Sequence, residues 1–436
     1  MTFTSTISGW GNYPKCDSQL LKPPSCAALQ TEISLKKSLI ARGMGRSYGD
    51  SANAPNVLQT SYCDHFLEFN VNTGQLTAEA GITLREILKV IVPAGWFLPV
   101  TPGTSFVTLG GVIASDVHGK NHHVAGTFGK YVKSMNIVLG TGEIVTASPI
   151  DNVDLFHATC GGMGLTGVII SAVIQLIPIQ SSLINQKTIK ANSIEEVCQA
   201  FEENFDATYS VAWIDCLATG KNLGRSVIIL GEHAKNGSLE INIKDPISVP
   251  FNTPPVLLNS LTMKTFNSAY WHKAKHGRAH TVSLNSYFYP LDRINSWNKL
   301  YGNAGFLQYQ FVIPKAGGVA NMRILLTKIA ESGDGSFLTV LKQFGNINNN
   351  LLSFPIEGYT LSQDFKLTAS TLRTLHELDD LIVGMGGRVY LTKDAVMQET
   401  TFKSTYPQWE EFESIRQKYG AIGKFSSAQS KRLGLA

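Results

Sequence analysis

Three clusters of glycine punctuate the first 180 residues, and apolar, β-branched runs flank each of them. The first is "ARGMGRSYGDS", residues 41–51, with Gly43, Gly45 and Gly49. The second spans residues 102–119, with Gly103, Gly110, Gly111 and Gly119, and the third is "CGGMGLTGVI", residues 160–169. Glycine weakens a helix interior and lets backbone come close to a ligand, so these segments read as loops and turns between strands. The spacing of the first cluster is G-x-G-x-x-x-G. A dinucleotide fold of the Rossmann type needs G-x-G-x-x-G opening a long apolar helix, and "SANAP" after Asp50 offers none. No Gly-Lys-Ser/Thr follows either, which excludes a Walker loop. Two readings remain, a nest of backbone N–H groups for a diphosphate or a tight turn with no ligand.

The surrounding pattern is one of hairpins with helices between them. "HFLEFNVNTGQLTAEAG" alternates about a turn at Asn72-Thr73-Gly74, and "VKSMNIVLGTGEIVTAS" about Gly140-Thr141-Gly142. Thr83 with Glu86 forms a capping box for a helix that carries Leu84, Ile87, Leu88 and Ile91 at helical spacing. A short helix at "VDLFHAT" and a strand at "VIISAVIQLI" follow. This order predicts an α+β fold rather than a doubly wound parallel sheet. After residue 180 the strands "YSVAWIDCL", "RSVIILGEH", "FLQYQFVIP" and "SFLTVLKQFG" alternate with helices "GVANMRILLTKIAES" and "ASTLRTLHELDDLIVGMG". We expect a first domain over 1–180, a sheet-based second domain over 181–387, and a segment 388–436 returning to the first. Residues 234–260 read as surface loop.

With 436 residues, 43% hydrophobic and 16% charged, the chain can bury more than one core. Its net charge of +4 is dispersed, which argues against nucleic acid but suits an anionic ligand. The six cysteines show neither CxxC pairs nor a regular framework, and the first residues lack the charged and apolar regions of a signal peptide. We therefore expect a cytoplasmic protein, with peripheral membrane contact left open. His118 and His122 have i,i+4 spacing, but no Glu completes H-E-x-x-H, so no metal is expected. Cys160 reads as a buried small residue.

Taken together, "ARGMGRSYGDS", "PGTSFVTLGGVIASDVHGKNHH", "CGGMGLTGVI", "AGFLQYQFVIP" and "GGRVYLTKD" resemble the vanillyl-alcohol-oxidase flavoproteins with a PCMH-type FAD domain. Within that family the resemblance is to the decaprenylphosphoryl-ribose 2'-oxidases, and it runs nearly end to end. It implies a two-subdomain FAD-binding domain and an antiparallel-sheet substrate domain flanked by helices. It also implies that Arg42, Gly43, Met44, Gly45, Arg46, Ser47, Tyr48, Gly49 and Asp50 wrap the FAD pyrophosphate. Gly103, Thr104, Thr108, Gly110, Gly111, Ser115, His118 and Gly119 would line the flavin and ribityl chain, Ile170 or its neighbour the adenine side, and Tyr390 the flavin again. Family members with covalent FAD use a His in the first glycine loop, and "GRSYG" has none, so the resemblance implies non-covalent FAD.

The implied reaction is oxidation of a secondary sugar hydroxyl, namely the C2' hydroxyl of a polyprenyl-phosphoryl-β-D-ribose. The 2-keto product would pass to a separate NAD(P)H-dependent short-chain reductase. The alternatives are an alditol or aldonolactone oxidase, or a flavoprotein subunit without catalysis. For catalysis the resemblance points to Lys393, Gln308, Gln310 and Tyr48, and for substrate to Lys120, Trp213, Lys342, Phe344, Thr360 and Ser362. Read by themselves, Gln308 and Gln310 alternate onto one strand face, where amides suit sugar hydroxyls or simply water. Lys342 could be an edge charge, and Lys393 could pair with Asp394 or Glu399. As a base Lys393 must be neutral, helped by a nearby cation such as Lys120; as a cation it would hold an alkoxide or phosphate. Ser362 of "GYTLSQDF" stands where the resemblance expects a cysteine, and Thr360 where it expects an amide.

Overall fold

The computed structural model describes residues 2–241, 246–249, 260–336 and 338–435. Two small sheets and one large one organise the chain. The first joins Thr2–Ser8, Lys15–Leu21, Asn56–Gln59 and Ile40–Arg42 in that order, and its last three strands run parallel. The second is antiparallel throughout and runs Phe66–Asn70, Gln75–Glu79, Val168–Gln175, Val132–Val138, Ile144–Ala147. Both sequence hairpins lie in this second sheet. Thr83 caps helix Leu84–Ile91 with the full capping box, and Leu84, Ile87, Leu88 and Ile91 are buried. Their side chains fill the second sheet's core together with helix Leu109–Ala114.

The large sheet has eight antiparallel strands, in the order Ala279–Ser283, Leu183–Ala191, Ser226–His233, Tyr209–Ile214, Thr339–Phe344, Gly358–Lys366, Phe306–Pro314, Arg388–Val389. Helices Ile194–Glu203, Gly318–Ser332 and Ala369–Gly384 cover one face. The two-residue period of a strand then sorts chemistry. Leu307, Tyr309, Phe311 and Ile313 join the apolar core under the helices, whereas Gln308 and Gln310 point the other way, into a cavity. The whole arrangement is the α+β fold expected from the hairpin order.

Three local features differ from the sequence reading. Strands Thr2–Ser8 and Lys15–Leu21 and helix Cys26–Leu35 lie where no element was assigned. Residues 388–389 do not return to the first sheet but form the edge strand of the large one, through Phe311↔Val389. The return follows afterwards: Arg416 donates to Leu165 O, and Leu39 bridges Phe425. Finally, within the expected loop 234–260, Ile247–Ser248 pairs in parallel with Ile294–Asn295. Residues 242–245 and 250–259 of that loop lie outside the described residues.

Candidate active site

A cavity of about 490 Å³ runs between the glycine loops and the face of the large sheet away from its covering helices. The first loop leaves strand Ile40–Arg42 and is pressed into shape by backbone. A Cβ on Gly49 would stand 1.9 Å from the carbonyl oxygen of Asp394, and one on Gly43 would stand 2.2 Å from Thr108 Oγ1. Gly45 has φ +62°, the left-handed region that favours glycine. The carbonyls of Ser47 and Tyr48 accept from Trp10 N and Gly11 N, while Tyr48 N donates to Thr392 O. Among the described residues, the N–H groups of Gly43 to Ser47 have no protein acceptor. A run of unpaired N–H groups at a cavity wall is an anion nest, and it fits a diphosphate.

Gly43, Met44, Gly45, Arg46, Ser47 and Tyr48 line the cavity, as do Gly103, Thr104, Thr108, Gly110, Gly111, Ser115, His118, Gly119 and Tyr390. Lys120, Trp213, Gln308, Gln310, Lys342, Ser362 and Lys393 line it as well. Six residues singled out in the sequence do not. The Arg42 guanidinium is spent on Ser8 O, Ala52 O and Asn53 Oδ1, under the loop. Gly49 is wedged against Asp394, and the Asp50 carboxylate pairs with Arg432 at 2.7 Å. Ile170 packs into the core beneath the first sheet, and its neighbour Ile169 takes the cavity side. Phe344 is fully buried against the rings of His118 and His122, at 4.8 and 4.5 Å. Thr360 is buried too, one layer behind Gln310.

That layer fixes a proton. The Thr360 hydroxyl donates to Phe311 O (2.7 Å), so its oxygen can only accept, and Gln310 Nε2 donates to it at 3.2 Å. The same amide nitrogen lies 3.0 Å from His118 Nε2, which must then be an acceptor. His118 therefore carries its proton on Nδ1. Burial, and secondly the Lys342 charge, push its pKa well down, so the ring is neutral. Nδ1 is buried without a protein partner, at a wall otherwise made by Phe344, Phe354 and Tyr390. This N–H is enclosed by those rings and does not open onto the cavity. His118 and His122 do not converge on one point, because His122 Nδ1 accepts from Gly345 N.

Three lysines face the same space. Lys393 lies 3.9 Å above the Tyr48 ring, and its nearest acidic influence is Asp364 rather than Asp394 or Glu399, which pair with Arg432 and Lys403. Burial lowers the Lys393 pKa to about 7 against the Asp364 charge, which raises it. Burial lowers Lys120 to about 7 and Lys342 to about 8. None of the three forms a salt bridge among the described residues; Lys120 Nζ donates to Tyr287 O. Asp364 is the residue that sequence reasoning missed. It accepts from Gln308 Nε2 (2.6 Å) and Tyr301 OH (3.0 Å), and burial raises its pKa to about 6. Its signal was present in "GYTLSQDF": an acidic residue two positions from Ser362, on the same strand face. Trp10 also lines the cavity, under the Arg46 guanidinium at 3.9 Å. No sequence signal marked it.

The nest and the lysine-rich wall together fit a flavin dinucleotide beside a polar substrate. Comparison with known proteins agrees. Residues 26–148 match the family model described as an FAD binding domain. The chain is 34% identical to decaprenylphosphoryl-beta-D-ribose oxidase of Mycolicibacterium smegmatis, over all of this chain and 98% of that protein. It is 27% identical to the human Delta(24)-sterol reductase over 31% of this chain and 26% of that protein. For D-arabinono-1,4-lactone oxidase of Kluyveromyces lactis the figures are 24%, 39% and 34%. FAD is the cofactor, and the protein is an FAD-dependent oxidoreductase. The chain belongs to the PCMH-type, vanillyl-alcohol-oxidase family of FAD-linked oxidoreductases, in the branch represented by decaprenylphosphoryl-β-D-ribose oxidase.

Proposed function

We propose that the protein oxidises the C2' hydroxyl of a polyprenyl-phosphoryl-β-D-ribose to the 2-keto sugar, the first half of an epimerisation to the arabinose configuration. The observation that carries this reading is the convergence of Lys120 and Lys342 on one cavity wall, neither in a salt bridge among the described residues. Uncompensated cations held away from bulk water favour a substrate that brings its own negative charge, and a phosphodiester does so. A free polyol would leave them uncompensated.

FAD held by the glycine loops would supply the hydride acceptor for C2'. The chain supplies the rest. Lys393 Nζ takes the hydroxyl proton in its neutral form, which burial makes available near pH 7. Gln308, oriented by Asp364, and Gln310, oriented by Thr360, present amides to the sugar. Lys120 and Lys342 hold the phosphate, and Ser362 pairs with Gln310 on one side and Val340, two residues from Lys342, on the other. The FAD is bound non-covalently, since the loop from Gly45 to Gly49 contains no His. The keto product then leaves for a separate NAD(P)H-dependent reductase.

The test is anaerobic flavin bleaching. We expect a yellow protein whose flavin stays in the supernatant after acid precipitation, and which bleaches with polyprenyl-phosphoryl ribose but not with xylitol or a free aldonolactone. Bleaching by the free polyol alone would transfer the assignment to an alditol or lactone oxidase.

A further inference from the structure

Helix Ser260–Lys273 buries Met263, Asn267 and Trp271, which recur every four residues. The adjoining stripe is Phe266, Tyr270 and Lys273, and it faces water: Phe266 is 46% and Tyr270 36% exposed. Phe266 stacks on Tyr270 with centroids 6.2 Å apart, and Tyr270 meets Trp213 at 4.5 Å. Tyr270 and Trp213 both line the cavity, so a ladder of aromatic rings leads from the surface to the substrate side of the site. Ile294 also lines that cavity and is exposed, and it pairs in parallel with Ile247, which is 82% exposed.

Single exposed apolar residues are ordinary. Here they share one cavity mouth, and the chain segment that carries the helix is basic. No Asp or Glu occurs between Asp245 and Asp292, whereas Lys264, Lys273, Lys275 and Arg278 do. All four are exposed, and none forms an ion pair among the described residues. Aromatic side chains with basic neighbours are the composition that settles at a lipid headgroup layer, where each cation contributes about 1 kcal/mol on an anionic leaflet. No helix among the described residues is long and apolar enough to cross a membrane, so contact through this face would be peripheral.

We propose that this face docks on an anionic phospholipid bilayer, with the Phe266–Tyr270–Trp213 ladder guiding the apolar tail of the substrate from the membrane into the cavity. The docking stands on the surface alone; the tail's path rests on the lipid-linked substrate proposed above.

The experiment is flotation of the FAD-loaded enzyme with phosphatidylcholine vesicles, with and without about one-third phosphatidylglycerol. We expect flotation with the anionic vesicles, weakened by salt. In Lys273→Glu/Lys275→Glu/Arg278→Glu it falls by more than about tenfold, with an unchanged flavin spectrum reporting an intact fold. Phe266→Ser lowers it further. Equal flotation of variant and wild type overturns the docking. So does absence of flotation, including the case in which the basic face instead captures an acidic partner protein. Flotation without bleaching by the polyprenyl-phosphoryl sugar leaves the docking standing and removes the substrate reading.

Discussion

Lys393 owes its charge to three influences: burial, the Asp364 carboxylate and the Lys342 ammonium. Burial and Lys342 favour the neutral amine, and Asp364 favours the cation. With the Lys393 pKa near 7, the neutral fraction grows as pH rises through that value, so the rate of flavin reduction should climb across the same window. Removing the carboxylate takes away the one influence that raises the pKa. In Asp364→Asn the rising limb should therefore move to lower pH, as stopped-flow reduction across a pH series would show. Lys393→Met, which keeps the stem and loses the amine, should slow reduction by about 10²–10⁴. A pH profile unmoved in Asp364→Asn would break the link between the two residues. Sequence reasoning reached Lys393 only through resemblance; by itself "LTKDA" suggested a pair with Asp394. Asp394 goes instead to Arg432, 38 positions away in the chain, and a partner at that separation leaves no local trace.

Among the elements, the hairpins were the most legible, because a two-residue alternation with a glycine turn states both the strands and their register. The helix after Thr83 was equally readable from its capping box. What stayed hidden was the purpose of individual glycines. Gly43, Gly45 and Gly49 look alike in "GMGRSYG", yet they meet a threonine side chain, an arginine side chain and a backbone carbonyl. Only the last contact is backbone against backbone, which cannot rotate away. Gly49→Ala should accordingly cost about 1–3 kcal/mol as an overpacked contact. The loop it displaces carries the nest, so FAD content per polypeptide should drop with the melting temperature. Calorimetry paired with the flavin-to-protein absorbance ratio would check both, and a fully loaded Gly49→Ala would show that the contact relaxes. The opening strands Thr2–Ser8 and Lys15–Leu21 escaped notice because "TFTSTIS" and "KCDSQLL" alternate weakly; Thr2–Ser8 is an edge strand, and residues 3–8 of it include no fully buried side chain.

At the scale of the molecule, a cluster of charges near the chain's end ties the sheets together. Arg432 reaches Asp50, beside the first glycine loop, at 2.7 Å and Asp394, next to Lys393, at 2.9 Å, and it donates to Met397 O as well. Both carboxylates are buried, so cutting the arginine back would strand two negative charges. Arg432→Ala should destabilise the fold by about 3–5 kcal/mol and weaken FAD retention, measurable by urea unfolding with and without added FAD. Unchanged stability would mean that water reaches the pair. The α+β class was readable from element order, but the clamp was not, since sheets are paired by tertiary contact and not by sequence neighbourhood.

The edge strand Arg388–Val389 carries a consequence for biosynthesis. It is the last strand to join the large sheet, and Lys393 follows it four residues later. A chain emerging from the ribosome can complete both small sheets and most of the large one before either appears. The nascent chain thus acquires Lys393 only after the strands of both small sheets, and a chain released before residue 388 carries the flavin loops without the lysine proposed as proton acceptor.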